Sequence, residues 1–285
     1  MCRFLSYIGA PILMNQLLYE PRNSLIHQSY KAQEREEPLN GDGFGVGWYQ
    51  RDIEPTPAIF VSVMPAWNNK NLRYIAPKIR STCIFAHVRA ASTGDVTQDN
   101  CHPFHYNEFL MMHNGDIGGF KKIKRELRRR LSDEIYDWIQ GETDSEHFFA
   151  LFLNNLQKNG GKSNSRDVTV ALEETVAEIR EIAGCQGVDD PQLLNVAITN
   201  GEFIVATRFV SHSGVKPNTL YHSEGSRFEC RDRVCHMLQT DPSEHAVLIV
   251  SEKLTDIKED WHEVPVNHLV TVDEHLGVSL QPIRV

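Results

Sequence analysis

Met112-His113-Asn114-Gly115-Asp116-Ile117-Gly118-Gly119 is the stretch at which the chain changes its period. Before it, residues 2–9, 44–50, 59–63, 83–89 and 108–113 carry β-branched, aromatic or otherwise apolar content bounded by turn residues, so the first 115 residues read as short strands and loops. After it, apolar positions recur at helical spacing. One helix is expected from Gly119 to about residue 139, and a second over about 144–157 with Phe148, Phe149, Phe152, Leu153 and Leu156 as its stripe. A third carries Val168, Leu172, Val176, Ile179 and Ala183 on one face and is expected to stop at Gly184. Strands return at about 193–199, 202–209, 218–222, 246–251, 268–273 and 277–282. The order strands, helices, strands implies a sheet drawn from both ends of the chain with helices on a face, an α+β layered domain. The loop at 159–166 is too short and central to mark a boundary, so residues 1–285 are expected to form a single domain.

Composition narrows the class. Hydrophobic residues make up 41% and charged residues 24% of the 285 positions, ordinary values for a soluble globular protein. No apolar run is long enough to span a bilayer and no leader peptide pattern opens the chain, so a cytoplasmic protein with no membrane partner is expected. A net charge of -9 disfavours nucleic acid as a partner. The basic run at 121–130 does not reverse this, because Phe120, Ile123, Leu127 and Leu131 recur at helical spacing and leave its charges on a solvated face. The cysteines Cys2, Cys83, Cys101, Cys185, Cys230 and Cys235 lack the pairwise spacing of zinc or redox motifs and are expected as free thiols.

Several short segments carry chemistry. Cys2 would present a free α-amine if Met1 were removed, and a thiol with its own amine base is a complete nucleophile; the bland reading is a small hydrophobe in an initial strand. Gly41-Asp42-Gly43-Phe44-Gly45-Val46-Gly47-Trp48 places glycines at alternate positions running into a strand, which speaks for close approach of another backbone or a ligand and against a phosphate loop. Arg89 stands where an apolar strand gives way to small hydroxylated residues, suited to a carboxylate ligand or to a salt bridge. Asn114 and Gly115 offer a side-chain amide and a backbone N–H side by side, the material of an oxyanion hole or of a plain Asn-Gly turn. Thr143-Asp144-Ser145-Glu146 reads as a capping box, which occupies Thr143 and Glu146 and leaves Asp144 free to bind an ammonium group. His102 and His105 lack further ligands at useful spacing, so neither a metal site nor a cofactor is expected.

Taken in order, Met-Cys-Arg at 1–3, Gly-Asp-Gly-Phe-Gly-Val-Gly-Trp at 41–48, His-Val-Arg at 87–89 with Ser92 to Gly94, Asn-Cys-His-Pro at 100–103, His-Asn-Gly at 113–115 and Thr-Asp-Ser-Glu at 143–146 resemble the class II, N-terminal-nucleophile glutamine amidotransferases. These motifs span half the chain, and Ala206-Thr207-Arg208 and Ser251-Glu252-Lys253-Leu254 look like the rest of the same stand-alone domain. Within the family the chain looks closest to compact members that hydrolyse γ-glutamyl compounds in ergothioneine synthesis or glutathione breakdown.

The resemblance implies a four-layered αββα fold and a division of labour. Cys2 would attack the γ-amide carbonyl, its α-amine acting as base and then as acid. Asn114 and the Gly115 N–H would hold the oxyanion. Arg89 would clamp the substrate α-carboxylate and Asp144 its α-ammonium, with Ser92 and Thr93 completing the pocket. Water would then hydrolyse a γ-glutamyl thioester and release glutamate. Many family members have Trp after the Arg and His before the Gly where this chain has Ala90 and Thr93. That tryptophan is associated with closing the site and passing ammonia onward, so its absence and the lack of an appended synthase domain point to a free-standing hydrolase of a small metabolite. The other readings left open are a glutaminase subunit serving a separate synthase or hydrolase partner, and a catalytically silent binding protein.

Overall fold

The structure is a computed structural model that describes residues 2–34, 39–91, 93–231, 234–241 and 244–285. Its first half runs β1 (Arg3–Leu13), α1 (Met14–Leu18), α2 (Leu25–Lys31), β2 (Phe44–Gln50), β3 (Glu54–Ser62), α3 (Lys70–Ile75), β4 (Arg80–Val88), β5 (Phe104–Tyr106) and β6 (Phe109–Ile117). Four helices follow: α4 (Phe120–Arg129), α5 (Asp133–Trp138), α6 (Asp144–Lys158) and α7 (Ser165–Cys185). The last part is β7 (Gln192–Thr199), β8 (Ile204–Arg208), β9 (Tyr221–Gly225), β10 (Arg227–Arg231), β11 (Val234–Leu238), β12 (Ala246–Val250), β13 (His262–Glu263), β14 (His268–Val272) and β15 (Val278–Pro282).

Two antiparallel sheets stack face to face. The first has the order β13-β9-β12-β1-β4-β2-β3 and is drawn from both ends of the chain; the second has the order β15-β14-β8-β7-β6-β5. Alternating side chains of both close the layer between them, with Phe4, Phe85, Leu110, Met112, Ile204 and Ile249 at its centre. The outer face of the first sheet is covered by α1, α2 and α3 through Leu17, Leu25 and Leu72, joined by Phe228 and Met237 of the β10–β11 hairpin. The outer face of the second is covered by α4, α6 and α7 through Ile123, Phe148, Phe152, Leu172 and Ile179. The result is a four-layer αββα sandwich.

Local chemistry explains where elements start and stop. In α6 the Thr143 hydroxyl accepts from the Glu146 amide at 3.1 Å, as a cap should. The Glu146 carboxylate, however, takes the amides of Gln140 and Gly141 at 2.8 Å and so tethers the preceding loop instead of closing a capping box. The expected apolar stripe of α6 understates its burial, since every residue from Asp144 to Leu156 is buried between the second sheet and α4 and α7. The helical stretch after Gly119 is broken at Ser132, which caps α5 by accepting from Ile135. Gly184 does not stop α7; the chain turns at Gly187 (φ 63°), with Val188 N donating to Ala183 O at 2.9 Å and Gly187 N to Gly184 O at 3.1 Å in a Schellman arrangement.

Three expectations are corrected. The first 115 residues contain helices as well as strands, because α1, α2 and α3 are single turns or little more, too short to show a period. Asn114-Gly115 is not a turn: β6 continues to Ile117, and the pair lies opposite Asn195 and Leu194 of β7. Cys230 and Cys235 are not free thiols but a disulfide, since they face each other across the β10–β11 ladder. Cys2, Cys83, Cys101 and Cys185 remain reduced. Among the described residues no helix is long and apolar enough to cross a membrane. A thiol titration of the non-reduced, denatured protein is expected to count four thiols per chain, rising to all six after reduction.

Candidate active site

β1 is flanked on one side by β4 and on the other by β12, and both registers converge on its first residues. Arg3 pairs with Val88 of β4, so Cys2 lies at the level of Arg89, and Leu5 pairs with Val250 of β12, so Ser251 lies at the level of Phe4. The Cys2 thiol sits against the backbone just past β4, 3.4 Å from the Ala90 amide that donates to it. That backbone is held in turn by Asp42, whose carboxylate accepts from Ala91 N at 2.8 Å, and by Gly43, whose carbonyl accepts from Arg89 N at 2.8 Å.

Arg3 anchors the nucleophile candidate from behind. Its guanidinium donates to the Cys2 carbonyl at 3.1 Å and ion-pairs with Glu252 at 3.0 Å, both side chains being 2% exposed. Glu252 also accepts from Asn23 Nδ2 at 3.1 Å and from Gln33 N at 2.8 Å. This buried network was missed in the sequence. The legible signal was an arginine at the start of one apolar strand and a glutamate at the end of another, residues that the β1–β12 register sets opposite each other.

Of the other expected residues, Arg89 and Asp144 lie near enough to act electrostatically on the thiol. Arg89 is 2% exposed and donates to the carbonyls of Thr93 at 2.9 Å, Asp95 at 3.0 Å and Gly94 at 3.3 Å. Among the described residues no carboxylate pairs with it, so the salt-bridge alternative fails and its charge is left without a counter-ion. Thr93 enters through its carbonyl on Arg89. Ser92, like Met1, lies outside the described residues.

Asn114 points between the sheets, its Nδ2 donating to Ser251 Oγ at 3.2 Å, while Ser251 Oγ also accepts from Phe4 N at 3.1 Å. One of the two Nδ2 hydrogens is therefore spent on Ser251, and Asn218 holds the Asn114 carbonyl at 3.1 Å. Leu194, opposite Gly115, spends its N–H on Phe209 and its carbonyl on Thr207 Oγ1, both on the β8 side. The alternation of an antiparallel ladder then turns the Gly115 amide to the free edge of β6. On that same edge Ile117 N donates to Asp144 Oδ2 at 2.8 Å.

Asp144 is 4% exposed at the first position of α6 and, among the described residues, has no cationic partner. Burial pushes the Cys2 thiol up from its usual value; the Ala90 amide and the Arg89 cation partly offset this, while the Asp144 anion adds to it. Among the described residues, Arg89 and Asp144 are thus two buried, unpaired, opposite charges that both act on one sulfur.

Beneath the site, His87 donates from Nε2 to the His113 carbonyl at 3.2 Å, and His102 stacks on His87 with 4.1 Å between ring centroids. His102 and His105 do not converge: the first is buried and the second exposed on β5. Among the described residues no group of three or more His, Cys, Asp or Glu side chains is arranged to hold a metal. The alternate glycines behave as close-approach positions, for a Cβ on Gly45 would come within 2.2 Å of the His102 carbonyl.

An αββα sandwich of antiparallel sheets with a cysteine at the open start of its central strand is the architecture of the N-terminal-nucleophile hydrolases. A sequence model of the class-II glutamine amidotransferases matches residues 21–279, and the chain belongs to that family. It is 38% identical to the probable glutamine amidotransferase DUG3 of Saccharomyces cerevisiae over 99% of this chain and 84% of that one. It is also 35% identical to the gamma-glutamyl-hercynylcysteine sulfoxide hydrolase of Mycobacterium tuberculosis over 98% of this chain and 96% of that one. The fold is shared with a glutamine aminotransferase class-II domain protein from Silicibacter pomeroyi, with a TM-score of 0.67 at 24% identity over the whole of both chains. The chain is therefore an enzyme of this kind, a glutamine amidotransferase or γ-glutamyl hydrolase in the broad sense.

Two outcomes follow from the buried groups. Glu252→Gln strands the Arg3 charge and is expected to cost about 3–5 kcal/mol in chemical unfolding, the range for breaking a buried pair from one side. Burial lowers His87 and His147 to about 3, so the folded chain keeps both neutral while the unfolded chain protonates them below about 6.5. Unfolding then takes up protons, and stability should fall as pH drops through the window from about 6.5 to about 3. In thermal melts across that window His87→Gln is expected to remove about 1.4 kcal/mol per pH unit of the slope.

Proposed function

We propose that this chain, with residues 1–285 acting as one domain, hydrolyses the γ-glutamyl amide bond of a small metabolite through a thioester on Cys2. The observation that carries this reading is the pair of unpaired charges around the thiol. A buried cation without a counter-ion and a buried anion without a cation are costly in the free protein, and an α-amino acid head group, which bears one charge of each sign, neutralises both. A glutamyl group held by its α-carboxylate on Arg89 and its α-ammonium on Asp144 extends its γ-carbonyl toward Cys2.

The chemistry then runs in two halves. Because burial raises the Cys2 thiol, the sulfur enters as S–H and needs a base. The Cys2 α-amine, exposed once Met1 is removed, is that base: its usual pKa of about 7.7–8.0 leaves a neutral fraction at physiological pH. Sulfur attacks the γ-carbonyl, and the oxyanion receives the second Asn114 Nδ2 hydrogen and the Gly115 N–H. The protonated amine gives its proton to the departing nitrogen, and the C–N bond breaks to leave a γ-glutamyl thioester. Water, deprotonated by the same amine, cleaves the thioester, releasing glutamate and restoring the thiol.

Ala90 supports hydrolysis over ammonia transfer, since a methyl group stands where a site-closing tryptophan would. A second reading is a glutaminase subunit that passes ammonia or its product to a separate synthase or hydrolase partner; it rests on the relatives named as amidotransferases. A silent binding protein is disfavoured by the thiol, donors and charges all being retained.

The test is glutamate release from glutamine, glutathione and other γ-glutamyl amides, with Cys2→Ala as control and mass spectrometry of the N-terminus. Wild type with Met1 removed is expected to release glutamate, and Cys2→Ala to lose at least about 10³-fold in kcat/KM. Undiminished activity in Cys2→Ala would overturn the mechanism. Activity seen only after a partner protein is added would favour the subunit reading.

A further inference from the structure

We propose that His113 is a specificity-determining positioning residue: it holds the Ser145 hydroxyl away from Asp144, keeping both carboxylate oxygens open to a substrate ammonium. The proposal rests on the reading of Asp144 as the ammonium partner and deepens it.

His113 projects from β6 toward α6, where its ring lies at 21° to that of Phe148 with centroids 6.1 Å apart. Its Nε2 is 3.0 Å from the Leu193 carbonyl, and a carbonyl can only accept, so Nε2 carries the hydrogen. In the neutral ring Nδ1 is then bare and can only accept. Ser145 Oγ lies 2.9 Å from Nδ1, so the single hydroxyl hydrogen of Ser145 is drawn there. The same hydroxyl is 3.4 Å from Asp144 Oδ1 and would turn to that anion if Nδ1 did not claim it.

The consequence falls on the carboxylate. Oδ1 receives the Ser145 amide at 2.9 Å and Oδ2 the Ile117 amide at 2.8 Å. One backbone donor per oxygen fixes the carboxylate and leaves a lone pair on each for a ligand. A hydroxyl turned onto Oδ1 would fill one of these. Gly115 keeps the arrangement possible, since a Cβ there would come within 2.5 Å of His113 Nε2 and 1.7 Å of the Leu193 carbonyl, across the line of their hydrogen bond. Helix capping accounts for Thr143, but it does not require a histidine on Ser145.

The test compares γ-glutamyl-p-nitroanilide with glutaryl-p-nitroanilide, which lacks only the α-amine, and reads the ratio of their kcat/KM values. His113→Phe is expected to lower that ratio about tenfold, chiefly through KM of the amine-bearing substrate, the size of a lost share in one charge-assisted hydrogen bond. Ser145→Ala alone should leave the ratio within about twofold, and His113→Phe with Ser145→Ala should restore it, because the competing hydroxyl is gone. General damage to the fold lowers both substrates together and leaves the ratio alone. An unchanged ratio in His113→Phe, or a double variant as poor as the single, overturns the proposal. A wild-type ratio near one removes the ammonium role of Asp144 itself and the proposal with it. Should His113→Phe not fold, histidine ring ¹⁵N spectra of wild type and Ser145→Ala decide: one Nε2–H histidine is expected to shift at Nδ1, and no shift at any histidine overturns the proposal.

Discussion

The site depends on β1 being zipped from both sides at once. Its pairing with β4 brings the thiol to the Arg89–Ala90 backbone, and its pairing with β12 brings Arg3 to Glu252 and Phe4 to Ser251. A one-residue slip of either register would turn Cys2 to the other face of the sheet and set Arg3 against apolar neighbours. The buried Arg3–Glu252 pair makes such a slip expensive, since each charge would lose the counter-charge that faces it. An ion pair of this sort adds little net stability compared with apolar packing. What it contributes here is register, and register decides where the sulfur sits.

The second sheet contributes His113, Asn114 and Gly115 from one strand. Along β6 even residues point between the sheets and odd residues toward the helices, so Asn114 reaches Ser251 and the β1 layer while His113 reaches α6. The open edge of the same strand carries the Gly115 and Ile117 amides. Three directions from three consecutive residues present a side-chain amide between the sheets, a histidine ring on the helix start, and a backbone N–H at the edge. No loop could hold these groups with equal stiffness, because a strand paired on one side and packed on both faces has little freedom left.

The parts of this that the sequence showed are those with local signatures. The strand at 44–50, the phenylalanines of α6 and the Thr143 cap each follow from neighbours a few residues apart, and all three occur in the structure. The order of the short motifs located Cys2, Arg89, Asn114, Gly115 and Asp144 in one region although it said nothing of distances. What escaped was non-local. Ser251, Glu252 and the Cys230–Cys235 pairing become visible only when strands are registered against each other. The Asn114-Gly115 pair was ambiguous because its turn chemistry is identical in sequence to a strand whose glycine makes room for a ring two residues earlier.

The raised thiol and the two unpaired charges belong to one argument. In the free protein the Arg89 cation favours the thiolate and the Asp144 anion opposes it, and burial outweighs both. On the proposed reading, a zwitterionic ligand covering the two charges would cancel their separate fields at the sulfur and exclude water from around it. In the proposed mechanism the remaining control over the sulfur proton would lie with the amine that removal of Met1 frees on Cys2, which travels with it wherever the β1 register places it. On the proposed reading, binding and activation would be coupled through geometry: a ligand that satisfies Arg89 and Asp144 would be the one whose γ-carbonyl meets the thiol, and one lacking either charge would leave a buried ion exposed to the cost it already bears.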